Sequence, residues 1–134
     1  MDKIERKGIA FEPEELKEFD KIIKKKGYKN RSEAIRCIIR KELVEDKSEN
    51  PEKNMAATLT IVYSHHEHNV QHELTHIQHY HPNLIRSSLH VHMDEHNCLE
   101  VLVLEGKVKN IKKLADAIIT AKGVKHGKLV LSAI

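Results

Sequence analysis

IERKGIAFEPEELKEFDKIIKKKGYKNRSEAIRCIIRKEL, residues 4–43, reads as one short strand followed by two helices, and that order decides the first part of the fold. Successive side chains of a strand alternate, so over 4–11 Ile9 and Phe11 take one face and Arg6, Gly8 and Ala10 the other. Pro13 suits the first turn of a helix, where its missing N–H costs nothing, and Glu14 and Glu15 suit the positive end of the helix dipole. Leu16, Phe19, Ile22 and Ile23 form an apolar stripe, and Gly27 is a natural stop. Asn30 with Glu33 resembles a capping box, after which Ala34, Ile35, Ile38, Ile39 and Leu43 give a second stripe. A unit of this size, residues 1–44, buries too little surface alone, and a lone strand leaves its backbone groups unpaired. An obligate dimer is therefore expected.

Working outward, residues 45–54, EDKSENPEKN, hold no apolar side chain and are expected to be a linker. The remainder, 55–134, reads as strand 57–63, helix 67–79, strands 84–93 and 98–104, helix 110–121 and strand 128–133. This β-α-β-β-α-β order is the ferredoxin-like arrangement shared by small ligand-sensing domains of the ACT type, which makes the whole chain α+β. Val70, Leu74 and Ile77 are the expected stripe of its first helix; Leu114, Ala117, Ile118 and Ala121 are that of its second, with Gly123 beyond its end.

The 134 residues exclude a large enzyme, and 32% charged, 40% apolar and 4% aromatic residues make a soluble globular composition. Neither a bilayer-length apolar run nor a signal-like start is present, so the expected location is cytoplasmic. The two cysteines, Cys37 and Cys98, make no disulfide framework and read as core residues or metal ligands. A net charge of +3 permits nucleic-acid binding without arguing for it, and Lys24, Lys25, Lys26 and Lys29 are equally a solvated run.

Histidine is the outlier. Ten of the 11 fall between residues 65 and 96, where even scattering would place two or three; such a tract points to metal, although a solvated helix that uses His reads the same way. The tight constellation is SLHVHMDEHNCLEV, 88–101. His90 and His92 share one face of a strand, about 7 Å apart along the chain, opposite Leu89, Val91 and Met93. Residues 94–97, DEHN, have turn composition, and the returning strand would lay Cys98 beside both imidazoles. One thiolate and two imidazoles suit zinc in a tetrahedron, or nickel or copper in a flat arrangement; a buried structural Cys98 beside solvated His is the plain alternative. His72, Glu73 and His76 in HELTH, 72–76, match H-E-x-x-H, the zinc hydrolase signature, but a unit this small leaves little room for a substrate cleft.

The first unit, with KNRSEAIR at 29–36, resembles the ribbon-helix-helix fold, in which two copies pair their strands into a ribbon that enters the major groove of double-stranded DNA. The resemblance implies that Arg6, Gly8 and Ala10 face base edges and that Asn30, Arg31 and Ser32, at the start of the second helix, hold a phosphate on free amides. Gly8 and Ala10 depart from the polar residues usual there, which leaves Arg6 as the main base reader.

RSEAIR at 31–36, QHYHP at 78–82, SLHVH at 88–92, CLEVLVLEG at 98–106 and KGVKHG at 122–127 make the chain similar to the NikR family of nickel-responsive transcriptional regulators. That resemblance implies Ni2+, one per subunit, on His90, His92 and Cys98, with His79 given by a neighbouring chain, and Tyr63, Gln78 and Glu100 orienting the ligands. It also implies a homotetramer, a dimer of dimers, that represses nickel uptake genes when nickel is bound, with a sensor of another divalent transition metal as the alternative. Where relatives hold a second cation on two acids, this chain has Glu33 and Cys37. Strand geometry separately suggests that His79 serves another chain. It ends a helix, whereas His90 lies six residues along the following strand, about 20 Å further on.

Overall fold

The computed structural model describes residues 3–64, 66 and 70–134, so the expected helical residues 67–69 and the His-rich positions His65 and His68 lie outside the described residues. Eight elements follow one another in these residues: α1 (Pro13–Lys26), α2 (Arg31–Ser48), β1 (Asn54–Ser64), α3 (Val70–His79), β2 (Ile85–His92), β3 (Asn97–Lys107), α4 (Val108–Ile119) and β4 (Val124–Ser132). The chain divides into two compact units, Met1–Lys41 and Glu42–Ile134.

In the first unit α1 starts at Pro13 and stops at Gly27, whose φ of 79° is the left-handed conformation that glycine adopts at no steric cost. Asn30 caps α2 by accepting the N–H of Glu33 at 2.8 Å, while the Glu33 carboxylate reaches back to the N–H of Lys29 rather than to Asn30 itself. Residues 3–12 form no strand. The strand expected over 4–11 needs a second backbone beside it, and one chain does not supply it. Ala34 of α2 is buried, whereas Ile38 and Ile39 are about half exposed, so only part of its apolar stripe is covered.

The linker reading needs correction at its start, because α2 runs on through Glu45, Asp46, Lys47 and Ser48. Glu and Lys are good helix formers and need no burial to extend an existing helix; Pro51, just beyond, helps to end it.

In the second unit the strands form one antiparallel sheet in the order β2-β3-β1-β4, the ferredoxin-like topology. Alternation along β1 buries Met55, Ala57, Leu59, Ile61 and Tyr63, and along β3 it buries Cys98, Leu102 and Leu104. Val70 and Leu74 of α3 and Ile111, Leu114, Ala115 and Ile118 of α4 are buried with them. Ala117 does not belong to this stripe and is exposed; 111, 114, 115 and 118 keep the 3.6-residue period, and 117 falls outside it. The opposite face of the sheet stays open and carries Leu89, Val91, Val103 and Val130, between 39% and 61% exposed.

Candidate metal centre and nucleic-acid interface

The β2–β3 hairpin builds the centre. Asp94 Oδ1 accepts the N–H groups of His96 at 2.7 Å and Asn97 at 2.9 Å, and this Asx-type turn reverses the chain within DEHN. The ladder then pairs His92 with Cys98 and His90 with Glu100, so the four side chains share one face of the sheet. His90, His92 and Cys98 present donor atoms within 4.8 Å of one another, the only such group of three or more His, Cys, Asp or Glu among the described residues. Cys98 Sγ is 3.4 Å from His92 Nδ1, and the rings of His90 and His92 are 5.1 Å apart. Metal bonds of about 2.0 Å from imidazole and 2.3 Å from thiolate make this spacing compatible with a shared ion.

The surroundings hold these donors. Tyr63, opposite Cys98 on the neighbouring strand, is 2% exposed and places its hydroxyl 2.9 Å from His90 Nδ1. Burial, then the nearby Glu100 and Cys98, push its phenol up to about 12, so it stays protonated and serves as a neutral hydrogen-bonding group. With Nδ1 held by the Tyr63 hydroxyl, Nε2 of His90 is the ring atom that would hold a metal, and Tyr63 would orient the imidazole for it. Glu100 is pushed up by burial and drawn down by His90 and by the hydrogen bond from Gln78. Tyr63, Gln78 and Glu100 are thus brought together with His90 and Cys98.

His79 is not in the group. The contact between Gln78 and Glu100 places the end of α3 over the middle of β3. The separation of about 20 Å obtained by stepping along a strand therefore overstates how far His79 lies from the centre. What keeps it out is rotation: one residue beyond Gln78 turns about 100° round the helix, and His79 is exposed.

HELTH does form part of α3, but His72, Glu73 and His76 are all exposed on its outer side. The sequence reading also missed one pairing: the rings of His66 and His96 meet at 5.0 Å. Thirty residues separate them and no spacing rule links them, so only the folded sheet could reveal it.

In the first unit Arg6, Gly8 and Ala10 are exposed in the segment 3–12, and Asn30, Arg31 and Ser32 open α2 as expected. Arg31 is committed elsewhere: its Nε and Nη2 reach the two carboxylate oxygens of Asp20 at 2.9 and 2.8 Å. That bidentate pair draws the Asp20 carboxyl below its ordinary range. Cys37 accepts the Tyr28 hydroxyl at 3.4 Å, so it has an internal partner.

The family model "NikR C terminal nickel binding domain" matches residues 56–132, and "Ribbon-helix-helix protein, copG family" matches residues 9–46. A candidate nickel-responsive regulator of Geobacter metallireducens is 53% identical over 127 residues, 95% of this chain and 91% of that one. One from Thermococcus onnurineus is 52% identical over 130 residues, 97% of this chain and 94% of the relative. Among solved structures, an uncharacterised protein of Thermotoga maritima aligns with a TM-score of 0.53 at 21% identity, covering 59% of this chain and 98% of its own; that likeness concerns the fold alone.

Proposed function

Because the chain belongs to the NikR family of nickel-responsive regulators, we propose that it represses the genes of nickel uptake when Ni2+ occupies His90, His92 and Cys98. The chain is a DNA-binding regulator and not an enzyme, which sets aside the hydrolase reading of HELTH. The observation that carries the proposal is the gathering of one buried thiol and two imidazoles at the β2–β3 hairpin of a chain that also has a ribbon-helix-helix unit. Residues 1–44 bind a double-stranded operator through Arg6, Gly8 and Ala10 and through the start of α2 at Asn30, Arg31 and Ser32. Residues 45–54 connect them to a sensor, 55–134, that holds one Ni2+ per subunit.

The assembly is a homotetramer in the cytoplasm, with His79 supplied across an interface. Each unit has its own uncovered apolar surface, which supports two different self-contacts. One is a groove of about 250 Å³ lined by Phe11, Phe19, Ile35, Ile38 and Ile39; the other is the open sheet face. Nickel controls DNA binding only if it binds one arrangement of this assembly better than another.

Nickel titration followed by thiolate absorption, together with retardation of operator DNA, tests the reading. Wild type should gain both signals with Ni2+, and Cys98→Ser should lose both while remaining folded, because the soft donor is gone. An unchanged nickel response in Cys98→Ser sinks the site; an equal or stronger response to another divalent ion reassigns the metal.

A further inference from the structure

Two histidines on the outer side of α3, His72 and His76, have no part in the proposed centre at the hairpin, in contrast to His79. Val70 and Leu74 bury one side of α3 and Ile77 packs with them. At about 100° per residue, His72 and His76 fall on the opposite side, and both are exposed. They are one turn apart, so their Cβ atoms are about 5–6 Å from each other and both rings can reach one ion in the water beside the helix. His76 is also steadied: its ring meets Tyr80 edge-on, with centroids 4.8 Å apart and planes at 89°. Leu74 anchors the turn between the two, so the helix holds the pair in register instead of leaving two independent surface side chains.

We propose that His72 and His76 form a second transition-metal site on the surface of α3, separate from His90, His92 and Cys98. With two neutral imidazoles as protein donors and water completing the shell, it takes borderline divalent ions. Cu2+ should bind most tightly, with Ni2+ and Zn2+ weaker. It lacks a thiolate and is open to solvent, so it exchanges its ion readily and fills only after the hairpin centre. The inference stands on α3 alone and does not depend on which metal the hairpin centre takes.

Equilibrium dialysis of the full chain against Ni2+ tests it, with wild type compared to His72→Ala, His76→Ala and the double variant. Both residues are exposed, so folding should be unaffected, and far-ultraviolet circular dichroism of each variant checks this; His72→Asn with His76→Gln provides a polar version of the double variant. Wild type should take up a second, weaker equivalent per chain. Each single variant should hold that equivalent about a hundredfold more weakly, since the second imidazole acts at high effective concentration. Both double variants should lose it while keeping the thiolate absorption that reports on Cys98. The same weak equivalent in wild type and the double variants, or no weak equivalent in wild type, overturns the proposal. Thiolate absorption is read on a separate channel, so failure at Cys98 and failure at the α3 pair are distinguishable.

Discussion

Tyr63 shows how one side chain couples the core to the candidate metal centre. Its ring belongs to the buried cluster and its hydroxyl lies 2.9 Å from His90 Nδ1. Tyr63→Phe keeps the ring and removes the hydrogen bond, so the sheet should remain intact while nickel affinity drops about 10- to 100-fold, the usual cost of losing a partner that orients a ligand. Competition with a chelator measures this, and an unchanged affinity would mean that Tyr63 only packs. Arg6 poses the corresponding question for DNA. Arg6→Ala should cost about 1 to 3 kcal/mol on the operator and relax preference at one position of each half-site. Equal weakening on operator and random DNA would make Arg6 a phosphate contact. The neighbouring Arg31 contrasts with it, since its guanidinium is already held by Asp20.

At the scale of the element, Gly127 of β4 sits against α4. A Cβ there would lie 2.7 Å from Ile119 Cγ1 and 3.0 Å from Ile61 Cγ2, both branch atoms near the backbone with little freedom to retreat. Gly127→Ala should therefore destabilise the second unit by about 1 to 3 kcal/mol, the typical cost of overpacking, and denaturant unfolding would detect it. An unaltered midpoint would mean that the sheet and α4 separate more easily than their packing implies. Elements such as β1 and β3 were legible in the sequence because one buried and one open face force strict alternation. The hairpin, and with it the approach of Cys98 to His90 and His92, followed from the same alternation and the turn composition of DEHN. The strand over 4–11 was legible as a pattern yet is absent from one chain, which offers that segment no backbone to pair with. Residues 45–48 were misread because a lack of apolar side chains forbids burial but not helix. Tyr63, Gln78 and Glu100 could not be found by spacing, since they come to the site from three different elements; family resemblance pointed to them. Ala117 was taken for a core position because it stands three residues after Leu114; with Ile111 and Ala115 buried, the centre of the stripe lies on the other side of Leu114 and leaves Ala117 exposed.

At the scale of the whole molecule, the open question is which chain completes the centre. His90, His92 and Cys98 gather within one chain, and His79 stays on the exposed side of α3 although Gln78 beside it contacts Glu100. A flat nickel site wants four donors, so the fourth is expected from a second copy, and a two-fold interface would hold two such sites. Mixed assemblies of His79→Ala and Cys98→Ala chains test this, since each variant alone lacks a donor at every site. In a mixed pair one site loses both groups. The other takes His79 from the Cys98→Ala chain and His90, His92 and Cys98 from the His79→Ala chain, and is complete. Thiolate–nickel absorption of wild-type form should therefore return at one site per mixed pair, half the wild-type intensity for that pair. If hybrids form, as mass spectrometry of the intact assembly can verify, and that absorption stays absent, the donors do not cross between chains and the shared-site assembly is wrong.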